Sequence, residues 1–321
     1  MAEAMNRLGA AGTPFLFIID FEMERPLVIP LADVDPRELR YSINGKTNYD
    51  GAIREPSMRF PVSLASRPMA YDRYREMFDL AVARQARGDS YLLNLTFPTE
   101  IEIDRSLEEI FVASRARYRL WMRDRLVVFS PESFVRIEGR EISSYPMKGT
   151  IDASVPGAVE KVLLDEKELA EHCTIVDLIR NDLNMVSSCV TVDKYRYIEK
   201  VRSPHRDLYQ VSSRIRGNLE EGYRERIGSI IAALLPAGSI SGAPKRMTLE
   251  IIREVEGYRR GYYTGVMGYF DGNVLDSGVM IRYIERIDGK LYYKSGGGIT
   301  VYSDPGREYR ELLEKIYVPV A

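Results

Sequence analysis

The sequence predicts an α+β fold, a single large domain over residues 1–321 in which antiparallel β-sheets are flanked by helices. Three observations carry that prediction. Strand-like runs in the last third are joined by Asp-Gly hairpin turns. Helical stripes gather into separate stretches instead of alternating with single strands. No repeat of roughly 20–50 residues and no low-complexity segment divides the chain.

Residues 1–70 mix short apolar runs such as Phe15–Phe21 with Pro26, Pro30 and Pro36, and read as a short N-terminal part. Asp72–Arg87 places Tyr74, Met77, Phe78 and Ala81 at helical spacing, and Gly88 ends that helix. From Tyr91 to Ile103 the pattern is strand-like, and two apolar runs between Leu126 and Ile142 surround Ser130-Pro131-Glu132, which reads as sheet with an intervening loop. Val159–Met185 is predicted helical, with Leu169, Cys173, Val176, Ile179 and Leu183 as the stripe that faces a core. After Gln210–Ile215, helices are expected around Ile227–Leu235 and Pro244–Val255, the second stopped by Gly257. Tyr262–Tyr302 reads as successive strands turned at Asp271-Gly272 and Asp288-Gly289, with Val279–Ile284 alternating as antiparallel strand and carrying Arg282. Asp304 and Pro305 start a last helix that buries Tyr309, Leu312, Leu313 and Ile316.

Composition narrows the function classes. Lys and Arg number 45 against 47 Asp and Glu, a net charge of −2, which gives no electrostatic footprint for nucleic acid or an anionic membrane, so neither is expected as a partner. Apolar runs such as Phe15–Ile19 and Ile230–Leu235 fall far short of the roughly 18 residues of a membrane span, and no signal-peptide pattern opens the chain. Two cysteines, Cys173 and Cys189, cannot build a disulfide framework, and a cytoplasmic location is expected. The only histidines, His172 and His205, lie outside any zinc-like cluster, and no G-x-S-x-G elbow is present. Chemistry must then rest on carboxylates, lysines and a hard cation.

Glu168 and Glu171 stand three apart on one helix, as do Glu308 and Glu311 on another. Packed face to face, the two pairs would offer oxygen ligands to Mg²⁺. Each alone also reads as a solvated face, with Lys167–Glu171 and Glu311–Lys315 as ordinary i,i+4 pairs. The small-residue loop Pro236–Lys245 runs into a helix start and is either an anion site or a tight capped connection. Ser295–Ile299 permits close backbone approach to a ligand, or is only a bend. Arg282, if buried, needs an anionic partner, and Lys148 taken alone reads as solvent-exposed.

In their order these motifs resemble those of the chorismate-utilising enzymes, most specifically the aminodeoxychorismate synthase component I branch, over residues 70–317. The landmarks are Gly88–Thr96, Ser130–Glu132, Pro146–Thr150, Lys167–His172, Ile175–Leu183, Gly238–Lys245, Asp276–Arg282 and Gly296–Gly298. The resemblance implies the chorismate-utilising fold and a Mg²⁺ ion held by Glu171 and Glu311, with Glu168 and Glu308 nearby. It implies chorismate binding by Gly149, Thr150, Tyr263, Arg282 and the backbone of Gly296, Gly297 and Gly298, with Lys245 close to the site, and Glu132 as general acid at the departing C4 hydroxyl.

Lys148 decides the branch, since anthranilate synthases of this family typically carry alanine there. By resemblance its amine adds at C2 of chorismate as the hydroxyl leaves. Ammonia, from solution or a separate glutamine amidotransferase subunit, then adds at C4, giving 4-amino-4-deoxychorismate for 4-aminobenzoate and folate synthesis. An anthranilate synthase component I and a catalytically silent chorismate-binding subunit are the alternatives, with water-using isochorismate and salicylate synthases behind them. Two departures stand out: Gln210 replaces a histidine common in the family, and the short N-terminal part lacks a tryptophan-feedback motif.

Overall fold

The computed structural model describes residues 1–49, 62–201 and 207–318. His205 and the side chain of Lys167 lie outside the described residues. Among those residues two nine-stranded sheets form, and every strand pairing is antiparallel. The first sheet runs Met147–Asp152, Leu208–Asn218, Glu141–Ser144, Ser133–Glu138, Val274–Val279, Val266–Phe270, Phe15–Ile19 and Leu27–Pro30, with Ser188–Val201 also on Leu208–Asn218. The second runs Gly242–Ala243, Leu92–Ile103, Lys290–Ile299, Tyr283–Ile287, Leu126–Ser130, Tyr118–Met122, Leu39–Ile43 and Lys46–Thr47, with Leu64–Arg67 also on Leu92–Ile103.

Period-2 geometry explains how one strand serves two cores. Phe15–Ile19 is buried throughout. Its Leu16 and Ile18 join Tyr118, Val128 and Tyr283 in a core shared by the two sheets. Phe15, Phe17 and Ile19 face the other way, toward Met5 of helix Ala2–Ala10, Ile175 and Ile179 of helix Glu166–Asn184, and Ile231 of helix Ile227–Leu234. On the second sheet, helices Tyr71–Ala86, Lys245–Glu256 and Pro305–Glu314 cover Leu93, Leu95 and Phe97. Helices thus flank two stacked sheets, the α+β architecture expected. Among the described residues no helix is long and apolar enough to cross a membrane.

The two Asp-Gly turns close the hairpins predicted for them. Val279–Ile284, however, is not one strand. Val274–Val279 belongs to the first sheet and Tyr283–Ile287 to the second, so Met280–Arg282 crosses from one sheet to the other. The apolar residues that mimic alternation are those of a crossover through the inter-sheet core, where Met280 is fully buried. Arg282 stands at the end of this crossover with φ of 53°.

The long helical stretch also divides. Helices Ala158–Leu164 and Glu166–Asn184 meet at Asp165, whose carboxylate accepts the Glu168 N–H at 2.9 Å as a helix cap. Val176, Ile179 and Leu183 are buried as predicted, but Leu169 and Cys173 are exposed. His172 and Ile175 take the inward positions, because the first turns of this helix border a polar cavity.

A buried ion pair ties the layers together at one side of that cavity. Arg260 bonds Glu256 at 2.6 Å and donates to the carbonyls of Ile240 (2.9 Å) and Asn94 (2.6 Å). Glu256 also accepts from the Thr96 backbone N–H and hydroxyl. The pair is hydrogen-bonded on both partners, as burial of two charges requires. It fixes the small-residue loop against strand Leu92–Ile103.

Candidate active site

A cavity of about 660 Å³ opens where the glycine-bearing strand Lys290–Ile299, the 280–282 crossover, helix Glu166–Asn184 and helix Pro305–Glu314 converge. Every site residue singled out in the sequence lines it except Lys245. The antiparallel pairing of Lys290–Ile299 with Leu92–Ile103 sets Gly296, Gly297 and Gly298 opposite Thr96, Leu95 and Asn94.

Lys148, on strand Met147–Asp152, donates to Glu171 Oε2 at 3.0 Å. Burial pulls its pKa down, but the charge and hydrogen bond of Glu171, with Glu168 and Glu311, outweigh that effect and hold the amine above the ordinary lysine value. The lysine is therefore an internal ion-pair member, not the exposed side chain that its type alone suggests. A Cβ on Gly298 would stand 3.7 Å from its Nζ, so the glycine strand and the amine face one another.

Glu132 lies on the loop between Leu126–Ser130 and Ser133–Glu138. Its main chain is fixed on both sides: its N–H donates to Ser130 Oγ at 3.1 Å and its carbonyl accepts the Val279 N–H at 3.0 Å. Burial pushes the carboxyl above the usual carboxylate range, opposed by a hydrogen bond from Ser239 and by the charges of Lys148, Lys315 and Arg282. A carboxyl that holds its proton to higher pH than an exposed glutamate is suited to act as a general acid.

Glu168, Glu171, Glu308 and Glu311 face the same cavity from the two helices, the convergence that spacing alone could not establish. Glu311 is paired with Lys315 at 2.8 Å, and Lys315 also donates to the Gly296 carbonyl at 2.7 Å. Burial draws the Lys315 amine below the ordinary lysine value, against the pull of Glu311. No group of three or more His, Cys, Asp or Glu among the described residues stands close enough to hold a metal in this arrangement. The donors are all hard oxygens, however, and that set suits Mg²⁺ or a similar hard cation.

The three glycines have different tasks. A Cβ on Gly296 would meet Leu95 O at 2.2 Å, a backbone clash, whereas on Gly297 it would lie 3.6–3.7 Å from Glu311, Lys315 and Glu308. We expect Gly296→Ala to destabilise the fold by about 1–3 kcal/mol in chemical denaturation. Gly297→Ala should keep wild-type stability while placing a methyl group in the cavity, with KM for the substrate rising about tenfold, an effect of about 1.4 kcal/mol.

Among the described residues Arg282 acquires no carboxylate as a hydrogen-bond partner; it donates to the Lys315 carbonyl at 3.2 Å and stacks on Tyr317. Its position on the cavity wall leaves a guanidinium available to an anionic ligand. Tyr263 is buried beside the cavity, and burial lifts its phenol well above the ordinary value. Lys245 stands behind the wall, bonded to Asp182 Oδ2 (3.0 Å) and the Leu234 carbonyl (3.2 Å); Asp182, rather than the lysine, reaches the lining. Gln210 pairs in register with Thr150 and lines the cavity, its amide donating to Ser212 Oγ at 3.4 Å. His172 sits behind Glu171 with Nε2 bonded to Ser213 Oγ at 2.6 Å, and burial lowers it to about 4, so it is neutral at physiological pH.

Sequence reasoning passed over Lys315, Asp182 and Ser239 as parts of the site. Asp182 and Ser239 lie within motifs already recognised, and Lys315 follows Glu311 by four residues. What it lacked was the direction of each side chain.

The sequence profile of the chorismate binding enzyme family matches residues 38–321. The chain belongs to this family. It is 48% identical over 318 residues to an uncharacterised PabA-like protein of Haemophilus influenzae, covering 99% of this chain and 96% of that one. It is 32% identical to aminodeoxychorismate synthase component 1 of Bacillus subtilis, covering 78% of this chain and 55% of the relative. Among solved structures, anthranilate synthase component I of Streptococcus pneumoniae superposes with a TM-score of 0.66 at 27% identity, covering 80% of this chain and 59% of that one.

Proposed function

We propose that this protein aminates chorismate at C4 to give 4-amino-4-deoxychorismate in the cytoplasm, with ammonia taken from solution or from a separate glutamine amidotransferase subunit. The observation that carries this reading is the Lys148 amine facing the glycine strand, in one cavity with a Glu132 carboxyl whose pKa is raised. Lys148 first passes its ammonium proton to the Glu171 carboxylate that it faces. The neutral Nζ then forms a bond to C2 as the ring double bond shifts and the C4–O bond breaks, Glu132 gives its proton to the departing oxygen, which leaves as water, and the proton shed by the alkylated amine restores Glu132. Ammonia then bonds at C4, the double bond returns, and the C2–N bond breaks to free Lys148. The proton shed by the incoming nitrogen balances the one taken up by the departing lysine, so the sum is chorismate plus ammonia giving amino product plus water.

Arg282 and the backbone of Gly297 and Gly298 would hold and orient the substrate, and Thr150 and Tyr263 would border it. Glu171 and Glu311, with Glu168 and Glu308, would hold Mg²⁺, which would supply positive charge for a substrate carboxylate.

Mass-resolved product analysis after incubation with chorismate, Mg²⁺ and ammonium tests the proposal. The expected result is a new amino product that becomes 4-aminobenzoate only when an aminodeoxychorismate lyase is added. Anthranilate with pyruvate would assign the alternative amination, and unconsumed chorismate would favour a silent binding subunit.

A further inference from the structure

The loop Pro236–Lys245 reads in the sequence as an anion site at a helix start. In the structure it holds a carboxylate, but one belonging to the protein. Residues Gly238–Ser241 form a single short turn of helix, and Ser239 presents its hydroxyl to Glu132 Oε1 at 2.5 Å. The turn is itself held from behind. Ser241 Oγ donates to the Ala237 carbonyl at 2.9 Å, the Arg260 guanidinium donates to the Ile240 carbonyl, and a Cβ on Gly238 would be 2.9 Å from Asp182 Oδ2. Ser239 is therefore a hydroxyl set on a rigid support.

We infer that Ser239 is the positioning residue for Glu132, fixing which carboxyl oxygen carries the proton that is transferred. This inference rests on the general-acid role of Glu132 proposed above. A serine hydroxyl has one proton to donate. Spent on Oε1, it makes that oxygen the acceptor in both protonation states and leaves Oε2 to hold the transferable proton. The same bond favours the ionised carboxyl, opposing the burial that raises it. The charges that act most strongly on Glu132 from the other walls are Lys148, Lys315 and Arg282, all cationic and all acting in the same direction as Ser239, while the carboxylates of Glu168, Glu171, Glu308 and Glu311 face the same cavity.

The test compares wild type, Ser239→Ala and Ser239→Thr. The protonated carboxyl is followed by infrared titration with ¹³C-glutamate labelling, its band assigned by its loss in Glu132→Gln. Removing a hydrogen bond to a charged group should raise the titration midpoint by about one pH unit in Ser239→Ala, and threonine, which keeps the hydroxyl, should restore it. In turnover, Ser239→Ala should lose about tenfold in kcat with little change in KM, and the high-pH limb of its profile should move upward with the infrared midpoint. An unmoved midpoint in Ser239→Ala, or one that threonine does not restore, overturns the inference. The titration needs no turnover: if wild type forms no amino product, the proposed reaction fails while the Ser239–Glu132 coupling is still decided by the infrared result.

Discussion

Lys148→Ala is expected to reduce formation of the amino product by about a thousandfold or more while leaving chorismate affinity within about tenfold of wild type. The asymmetry follows from covalent catalysis, in which the amine lowers the barrier of the chemical step and does little for ground-state binding. Alanine, however, also removes the cation paired with Glu171 at 3.0 Å, so a loss of activity has two readings. Lys148→Arg separates them. Arginine keeps a positive charge beside Glu171 but cannot give up its proton at any relevant pH, so it preserves the electrostatics without the nucleophile. Both variants should be inactive, and both should bind chorismate by calorimetry. With ammonia withheld, intact-protein mass spectrometry should detect an adduct of chorismate less one water on wild type and on neither variant. Amination that survives in Lys148→Ala would remove the covalent route.

Much of the architecture is legible in the chain because its signals are local. Asp271-Gly272 and Asp288-Gly289 close hairpins wherever those strands lie, Gly257 ends its helix in a left-handed conformation with φ of 63°, and Asp304 caps the last helix by accepting the Arg307 N–H. The errors arise where tertiary context reassigns an apolar run. Met280 and Ile281 look like strand because the inter-sheet core requires apolar residues in a crossover as much as in a sheet. Leu169 and Cys173 look like core because a helix facing a polar cavity shifts its buried face onto His172 and Ile175.

The site was legible in composition but not in pairing. Both Glu-x-x-Glu motifs can be read from the sequence; that Lys148 bonds Glu171 and Lys315 bonds Glu311 depends on how strands and helices from distant parts of the chain are packed. Lys245 shows the reverse case. A lysine beside a glycine-rich loop suggests an anion-binding group, whereas Asp182, more than 60 residues earlier, takes up its charge (the separation is 63).

Glu132→Gln should lower kcat by about 10²- to 10⁴-fold, the usual contribution of a positioned general acid, and should change the pH dependence of what activity remains. In wild type the acid form is the active one, so the rate should fall as pH rises through the raised pKa of Glu132. Glutamine has no proton to lose there, and the corresponding limb should be absent from its profile. The substitution should move stability in the opposite direction from turnover. Because burial raises the carboxyl pKa in the folded state, the folded protein binds more protons than the unfolded chain between the unfolded and folded values. Stability is then lost as pH rises through that window, so above the ordinary glutamate range the carboxyl of Glu132 is a net cost. Glutamine keeps an oxygen to accept the Ser239 hydroxyl and carries no charge, so Glu132→Gln should melt at a higher temperature than wild type at pH 7 and lose this advantage below the ordinary glutamate range. A rise in Tm together with the loss of turnover would mark Glu132 as a residue retained for chemistry at the expense of stability. A lower Tm at pH 7 would instead make it a structural carboxylate and remove the general acid from the proposed reaction.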